Sequence, residues 1–178
     1  MYTPAPNLYA TTHRMRVLLS NCARVQTLME ADDADEAMTK VLSYGEEVTS
    51  ENVPVLAYPA GLVCDQEFHV ETGDMGEVMK VPQRTIEIWL AFYVPDVEGI
   101  ESYSDEKHWV DEQWAAIVGE CLTLTGRGEP IAGETFLNIS NPVYLGSERE
   151  PDDERGDGRL DSHPDRSRWF GAMQWEVH

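Results

Sequence analysis

Residues 85–94, Thr-Ile-Glu-Ile-Trp-Leu-Ala-Phe-Tyr-Val, alternate without a break between two kinds of side chain. Ile86, Ile88, Leu90, Phe92 and Val94 make one row, and Glu87, Trp89, Ala91 and Tyr93 make the other. That is the pattern of a β-strand with one fully apolar face. A different period follows within a few residues. Val110, Trp114, Ile117, Cys121 and Leu124, flanked by Val118 and Leu122, recur at helical spacing across 104–125. A strand that must hide one face and a helix that must hide one stripe can hide each other. The expected fold is therefore α+β: a mixed or antiparallel sheet packed against an N-terminal helical segment and one central amphipathic helix.

The flanking sequence extends this plan. Pro4 and Pro6 keep residues 1–10 out of a helix, which predicts an extended arm. From Thr11 onward Leu18, Cys22, Val25 and Met29 draw one apolar stripe. Asp33, with Glu36 three residues on, predicts the capped start of a short helix that buries Ala37, Met38, Val41 and Leu42 and stops at Gly45. Val53–Ala57 reads as a short strand interrupted by Pro54. In 62–71, Leu62, Cys64, Gln66, Phe68 and Val70 alternate with Asp65, Glu67, His69 and Glu71. Residues 73–82 hold Gly73, Gly76 and Pro82 and predict a loop or hairpin tip.

Ser104 is the expected cap of the long helix, Asp105 and Glu106 suit its first turn, and Gly126 supplies its stop. Trp109 falls off the apolar stripe and is expected to be exposed. Residues 131–144 read as strand with a break at Asn141-Pro142. Residues 147–168 carry eight acidic and five Arg side chains with scarcely an apolar one, which predicts a charged loop. A terminal strand then places Trp169, Met173, Trp175 and Val177 on one face. The whole chain, 1–178, is expected to form a single domain.

Charge narrows the function. With 33 acidic residues against 13 basic ones the formal net charge is −20, a surface that repels duplex DNA and anionic lipid. Solubility alone, a saline habitat (ten Arg accompany three Lys) and imitation of DNA by an acidic inhibitor are competing explanations. No apolar run approaches the length of a membrane helix and no signal-peptide pattern opens the chain. A soluble protein made in a cytoplasm is expected. Cys22, Cys64 and Cys121 are odd in number, widely spaced and on apparent core-facing positions, so reduced buried thiols are expected.

Motifs that carry chemistry are scarce. No G-x-S-x-G, H-E-x-x-H or phosphate-cradling loop occurs, and Gly126-Arg-Gly128 lacks the Lys-Ser/Thr that would complete one. Residues 153–164 hold Asp157-Gly158 but place Arg155 and Pro164 where an EF-hand needs oxygen ligands. Asp161, His163 and Asp165, and likewise His69 with Glu67 and Glu71, read as solvated polar faces. The expectation is no catalytic residue, no metal and no cofactor.

Taken in order, Val53-Pro-Val-Leu-Ala-Tyr58, Thr85–Pro95, Asp111-Glu-Gln-Trp-Ala-Ala-Ile-Val118 and the acidic stretch before Trp169–Val177 resemble the tail terminator proteins of long-tailed bacteriophages, the lambda type in particular. The resemblance runs from about residue 11 to the C-terminus, and it lies in order, length and composition of elements. This chain is longer, mainly in the N-terminal region and in 146–168, which leaves room for another neck or head–tail joining role. The resemblance implies a non-enzymatic virion protein made in the host cytoplasm. Its copies would form a homo-oligomeric, hexameric ring on the tail tube protein, halt tube growth and present a surface to the head–tail connector. DNA would pass through the channel without specific binding. The expected subunit contacts are Arg14, Arg16 and Arg24, offered to a neighbour's carboxylates, and the outward aromatics Trp89, Tyr93 and Trp109. The alternative is a small α+β ligand-binding or enzymatic domain.

Overall fold

The computed structural model describes residues 8–44, 58–70, 82–134, 136, 139–151 and 163–177. Its centre is strand β3 (Pro82–Tyr93), whose inward row Ile86, Ile88, Leu90 and Phe92 is fully buried. β3 pairs antiparallel with β2 (Ala60–Val70) on one side and with β5 (Arg168–Val177) on the other. β1 (Val41–Ser43) runs parallel to β2, and β4 (Ile139–Arg149) runs antiparallel to β5. The result is a five-stranded mixed sheet in the order β1-β2-β3-β5-β4, so the expected α+β architecture is what forms.

Helices α1 (Leu8–Ser20), α2 (Ala23–Leu28), α3 (Ala34–Lys40) and α4 (Tyr103–Gly126) supply the second layer. Val63, the β3 row and Trp169, Met173 and Trp175 of β5 join Leu18, Val25, Met29, Val110, Trp114 and Ile117 in one hydrophobic cluster. Phe92 sits in its middle, with the rings of Trp109 and Trp114 at 6.1 and 6.5 Å. Among the described residues, the helices pack on the face of the sheet toward which Ile88 points.

Several local expectations need correction. The N-terminal helix begins at Leu8, so residues 8–10 do not belong to an arm. It also breaks at Asn21 and Cys22, where polar side chains bond to its last carbonyls. Ser20 Oγ donates to Arg16 O (2.7 Å), Asn21 Nδ2 to Val17 O (2.8 Å) and Gln26 Nε2 to Ser20 O (2.7 Å). The apolar stripe survives the break: Leu18, Cys22, Val25 and Met29 are all buried.

Asp33 does cap α3, accepting from Glu36 N at 2.9 Å, while the Glu36 carboxylate reaches one residue further back, to Asp32 N. α3 ends at Lys40, and the apolar pair Val41-Leu42 belongs to β1 instead of the helix. The cap of α4 is Ser102, not Ser104. Ser102 has Asp105 at the third helical position to close a reciprocal capping box, whereas Ser104 would face Lys107 there.

Among the described side chains of β2 the buried positions are Gly61 and Val63, which pair with Leu90 and Ile88, so Leu62 and Cys64 face away from the helices. A bulge between Asp65 and Glu67 then resets the alternation. The break expected at Asn141-Pro142 is a register irregularity within β4, and β4 continues to Arg149, which trims the charged loop at its start. Arg168 trims it at its end. The expected strand at 53–57, the stop at Gly45 and the hairpin tip at 73–81 lie outside the described residues.

The caps make stability depend on pH. The side-chain and backbone donors of Ser102 hold the Asp105 carboxyl below its usual range, and the Asp32 amide with Lys40 does the same for Glu36. A carboxyl whose folded value is depressed contributes stability above its unfolded value, and that contribution fades as pH falls through the folded one. Unfolding midpoints in urea should therefore drop as pH falls below the ordinary carboxylate values, 3.8 for Asp and 4.5 for Glu. Asp105→Asn should flatten part of that drop, as followed by circular dichroism across the same titration.

Candidate interaction surface

Register tells which side chains share the helix-free face. Leu42 pairs with Leu62, Leu62 with Trp89, and Trp89 with Ala172, so this row crosses four strands. Ala60, Ala91, Phe170 and Glu148 form the row on one side of it. Cys64, Glu87, Gln174 and Val143 form the row on the other. Gln174 Nε2 donates to Glu87 Oε2 across strands at 3.2 Å. Trp89 is 39 % exposed, Tyr44 just past β1 is 42 % exposed and Val143 is 51 % exposed. The centre is thus aliphatic and aromatic, with Glu87, Glu148 and Glu176 around it, an apolar middle within a polar rim. Burial, followed by the charge of Glu87, pushes the Cys64 thiol up to about 11, so it stays protonated.

The two edges of the sheet are less suited to association. β1 is three residues long, and the Arg16 side chain already occupies its backbone: Nε donates to Val41 O at 2.7 Å and Nη2 to Met38 O at 3.0 Å. β4 is longer, but it carries Pro142, two register irregularities and Gly146 at φ +115°. A proline and bulges twist an edge away from straight pairing. Among the described residues, the face that carries Trp89 is therefore better suited to association than either edge.

The structure separates the residues expected at subunit contacts. Trp89 stands on the open face. Tyr93 shares that face but is buried, with the Tyr58 ring at 6.4 Å and the His163 ring at 5.0 Å. Arg16 is buried as well, spent on Val41 and Met38, so neither it nor Tyr93 is a surface partner for a neighbour. Arg14 is on the helix layer, its side chain 48 % exposed, and Nε lies 3.2 Å from Glu134 Oε2. Arg24 ties α2 to α4: Nη1 donates to Gln113 Oε1 at 3.1 Å and its backbone N to Glu120 Oε2 at 3.0 Å. Trp109 is half-buried against Phe92 instead of exposed. Trp89 and Arg14 are therefore the surface members of the set, and they lie on opposite layers.

Sequence reasoning missed Leu42, Tyr44, Leu62 and Phe170 on the open face. Only strand register could have found them, because nothing local distinguishes Leu62 from the buried Val63 beside it. His163 does not join Asp165 in a cluster; its Nε2 lies 2.8 Å from Glu30 Oε1, with Arg166 3.5 Å from the same oxygen. Among the described residues no group of His, Cys, Asp or Glu is arranged to hold a metal ion, and no helix is long and apolar enough to cross a membrane. An open groove of about 550 Å³ runs between the start of α2 and the second half of α4, past Asn21, Ala23, Gly119, Glu120 and Arg127. No protein-family model matches the chain, and the comparison with curated proteins finds no match.

Proposed function

We propose that this chain is a structural virion protein of the tail-terminator type. Its copies form a ring at the head-proximal end of a phage tail tube, stop tube polymerisation and join the tail to the head connector. The observation that carries this reading is the sheet face with Trp89 at its centre, opposite the face on which the described helices pack. A tryptophan at the middle of an apolar patch is the kind of residue that dominates binding energy at protein contacts. Placement supports a ring in a second way. A cyclic ring of more than two subunits uses two different surfaces, one on each side of every subunit. Trp89 on the sheet layer and Arg14 on the helix layer provide one each.

The charge fits the same role. Six copies at −20 each would line a channel with walls that do not hold phosphates, and the like-charge repulsion between copies is offset by apolar contact at the sheet face. The test is a phage carrying Trp89→Asp, viewed by electron microscopy. Trp89 is only 39 % exposed and lies on the central strand, so the urea midpoint of the purified variant is measured alongside, and Trp89→Ser replaces it where the aspartate unfolds the chain. Tails of uncontrolled length that fail to join heads are the expected result. Tails of normal length without heads would move the protein to another neck position, and normal particles would overturn the reading.

A further inference from the structure

All 33 acidic residues of the chain lie at position 30 or later. The first 29 positions hold three arginines and no Asp or Glu, in a chain whose net charge is −20. The described part of this stretch supplies α1, the break at Asn21 and Cys22, and α2. Charge is therefore segregated in the fold, and part of the helix layer lacks the carboxylates that the rest of the chain carries in excess.

The open groove lies where that stretch meets α4. Ala23 from α2 and Ala116, Gly119, Thr123 and Leu124 from α4 wall it, and Arg127, at the C-terminal cap of α4, is exposed beside them. A Cβ on Gly119 would meet nothing within 4 Å. Among the described lining residues Glu120 is the only acid, and its Oε2 already accepts from Cys22 Sγ at 2.9 Å and from Arg24 N at 3.0 Å. Both bonds use one oxygen, so Oε1 remains as an acceptor. The volume, about 550 Å³, falls in the range of sites that hold a small molecule, roughly 300–1,000 Å³, which is ample for one aromatic side chain.

Trp89, on the opposite layer, has the complementary shape and charge. Its row neighbours are Leu62 and the small Ala172, Ala91 and Glu87 flank it on its own strand, and its indole N–H is a hydrogen-bond donor. We propose that the Trp89 indole of one copy seats in the α2–α4 groove of the next, with Glu87 beside Arg127 and the indole N–H donated to Glu120. This rests on the assembly reading above and names the two surfaces that meet. Packing two sheet faces together instead would set Glu87 and Glu148 of one copy against those of the other, a like-charge juxtaposition, whereas the groove offers an arginine and a wall from the acid-free stretch. A contact between two different surfaces leaves one free indole and one free groove after each addition, so copies add head to tail.

The test uses the full chain in sedimentation velocity, at rising concentration up to its solubility limit. Gly119→Leu fills the groove, and because leucine is the better helix former its thermal midpoint should match or exceed that of the parent. Trp89→Ser removes the indole. The parent should form species larger than a dimer, and each variant alone should stay monomeric. Mixed in equal amounts they should give a dimer and nothing larger, since the indole of the Gly119→Leu copy enters the intact groove of the Trp89→Ser copy. Gly119→Leu decides by itself if Trp89→Ser does not fold. A parent that stays monomeric throughout, a Gly119→Leu chain that associates as the parent does, or a mixture that stays monomeric would overturn the proposal. The phage phenotype separates this from the assembly role. Defective tails with Trp89→Ser beside normal tails with Gly119→Leu reject the groove and leave the ring, while head-to-tail dimers in solution beside normal particles for both variants uphold the contact and reject the role.

Discussion

Glu150→Ala is expected to lower the unfolding free energy by about 3–5 kcal/mol. Arg168 and Glu150 close the gap between β4 and β5, with Nε 2.7 Å from Oε2 and side chains only 2 % and 6 % exposed. The backbones meet at the same place, Glu150 N donating to Arg168 O at 2.8 Å. On the other side of the guanidinium lies the Tyr58 ring, 4.7 Å from Cζ. A charged pair so enclosed gains little over an apolar pair of the same volume, because desolvation of both ions offsets their attraction. Removing one partner is different: the guanidinium stays in a dry site without the carboxylate that lies 2.7 Å from it. The joint variant Glu150→Leu/Arg168→Met should accordingly recover most of what Glu150→Ala loses. Urea titrations of the parent, both single variants and the double variant measure this coupling directly. A cost below about 1 kcal/mol for Glu150→Ala would mean that water reaches the pair.

How much of this molecule could be read from its sequence depends on how local each signal is. Ile86, Ile88, Leu90 and Phe92 were legible as a buried row because no polar residue interrupts them and the facing row is mixed. Val110, Trp114, Ile117 and Cys121 were legible for the same reason at helical spacing. β1 was not, because Val41 and Leu42 extend the apolar stripe of α3 and a three-residue strand leaves no period of its own. In β2 the alternation pointed to the row of Leu62 and Cys64, but the bulge between Asp65 and Glu67 shifts the register, and only the pairing with β3 shows that Val63 faces the core. Ser102 was readable in principle: Ser-x-x-Asp favours it over Ser104.

Among the contact residues, Trp89 was visible as a large aromatic opposite a buried row. Arg16 and Tyr93 show the limit. Whether a long polar side chain meets solvent or a carbonyl from another element is set by chain segments far away in sequence, here Val41 for Arg16 and His163 for Tyr93.

Trp114→Ala should be as damaging as the loss of Glu150, about 3–5 kcal/mol, through a cavity instead of a stranded charge. Trp114 is among the largest fully buried side chains, and it joins α4 to both neighbouring strands. Phe92 of β3 lies 6.5 Å away ring to ring, and Tyr144 of β4 lies 5.7 Å away. Tyr144 is itself pinned, donating to Asp111 Oδ1 at 2.9 Å with Ser147 Oγ at 2.6 Å; burial first, and then Asp111, push its hydroxyl up to about 12. Gly171 makes the room for this indole: a Cβ there would sit 2.8 Å from Trp114 Nε1 and 2.2 Å from Ser147 Oγ. Nε1 has no hydrogen-bond partner, so nothing polar is lost in replacing the indole by an apolar ring. Trp114→Phe should therefore cost far less than Trp114→Ala, by the usual preference for substitutions that keep most of the volume. Denaturant midpoints of the two variants, with Gly171→Ala alone and in the Trp114→Phe background, complete the test. Gly171→Ala should cost less in that background than in the parent, because the contact with the indole has been removed. Equal costs in both backgrounds would show that the Ser147 contact, not the indole, is what keeps residue 171 a glycine.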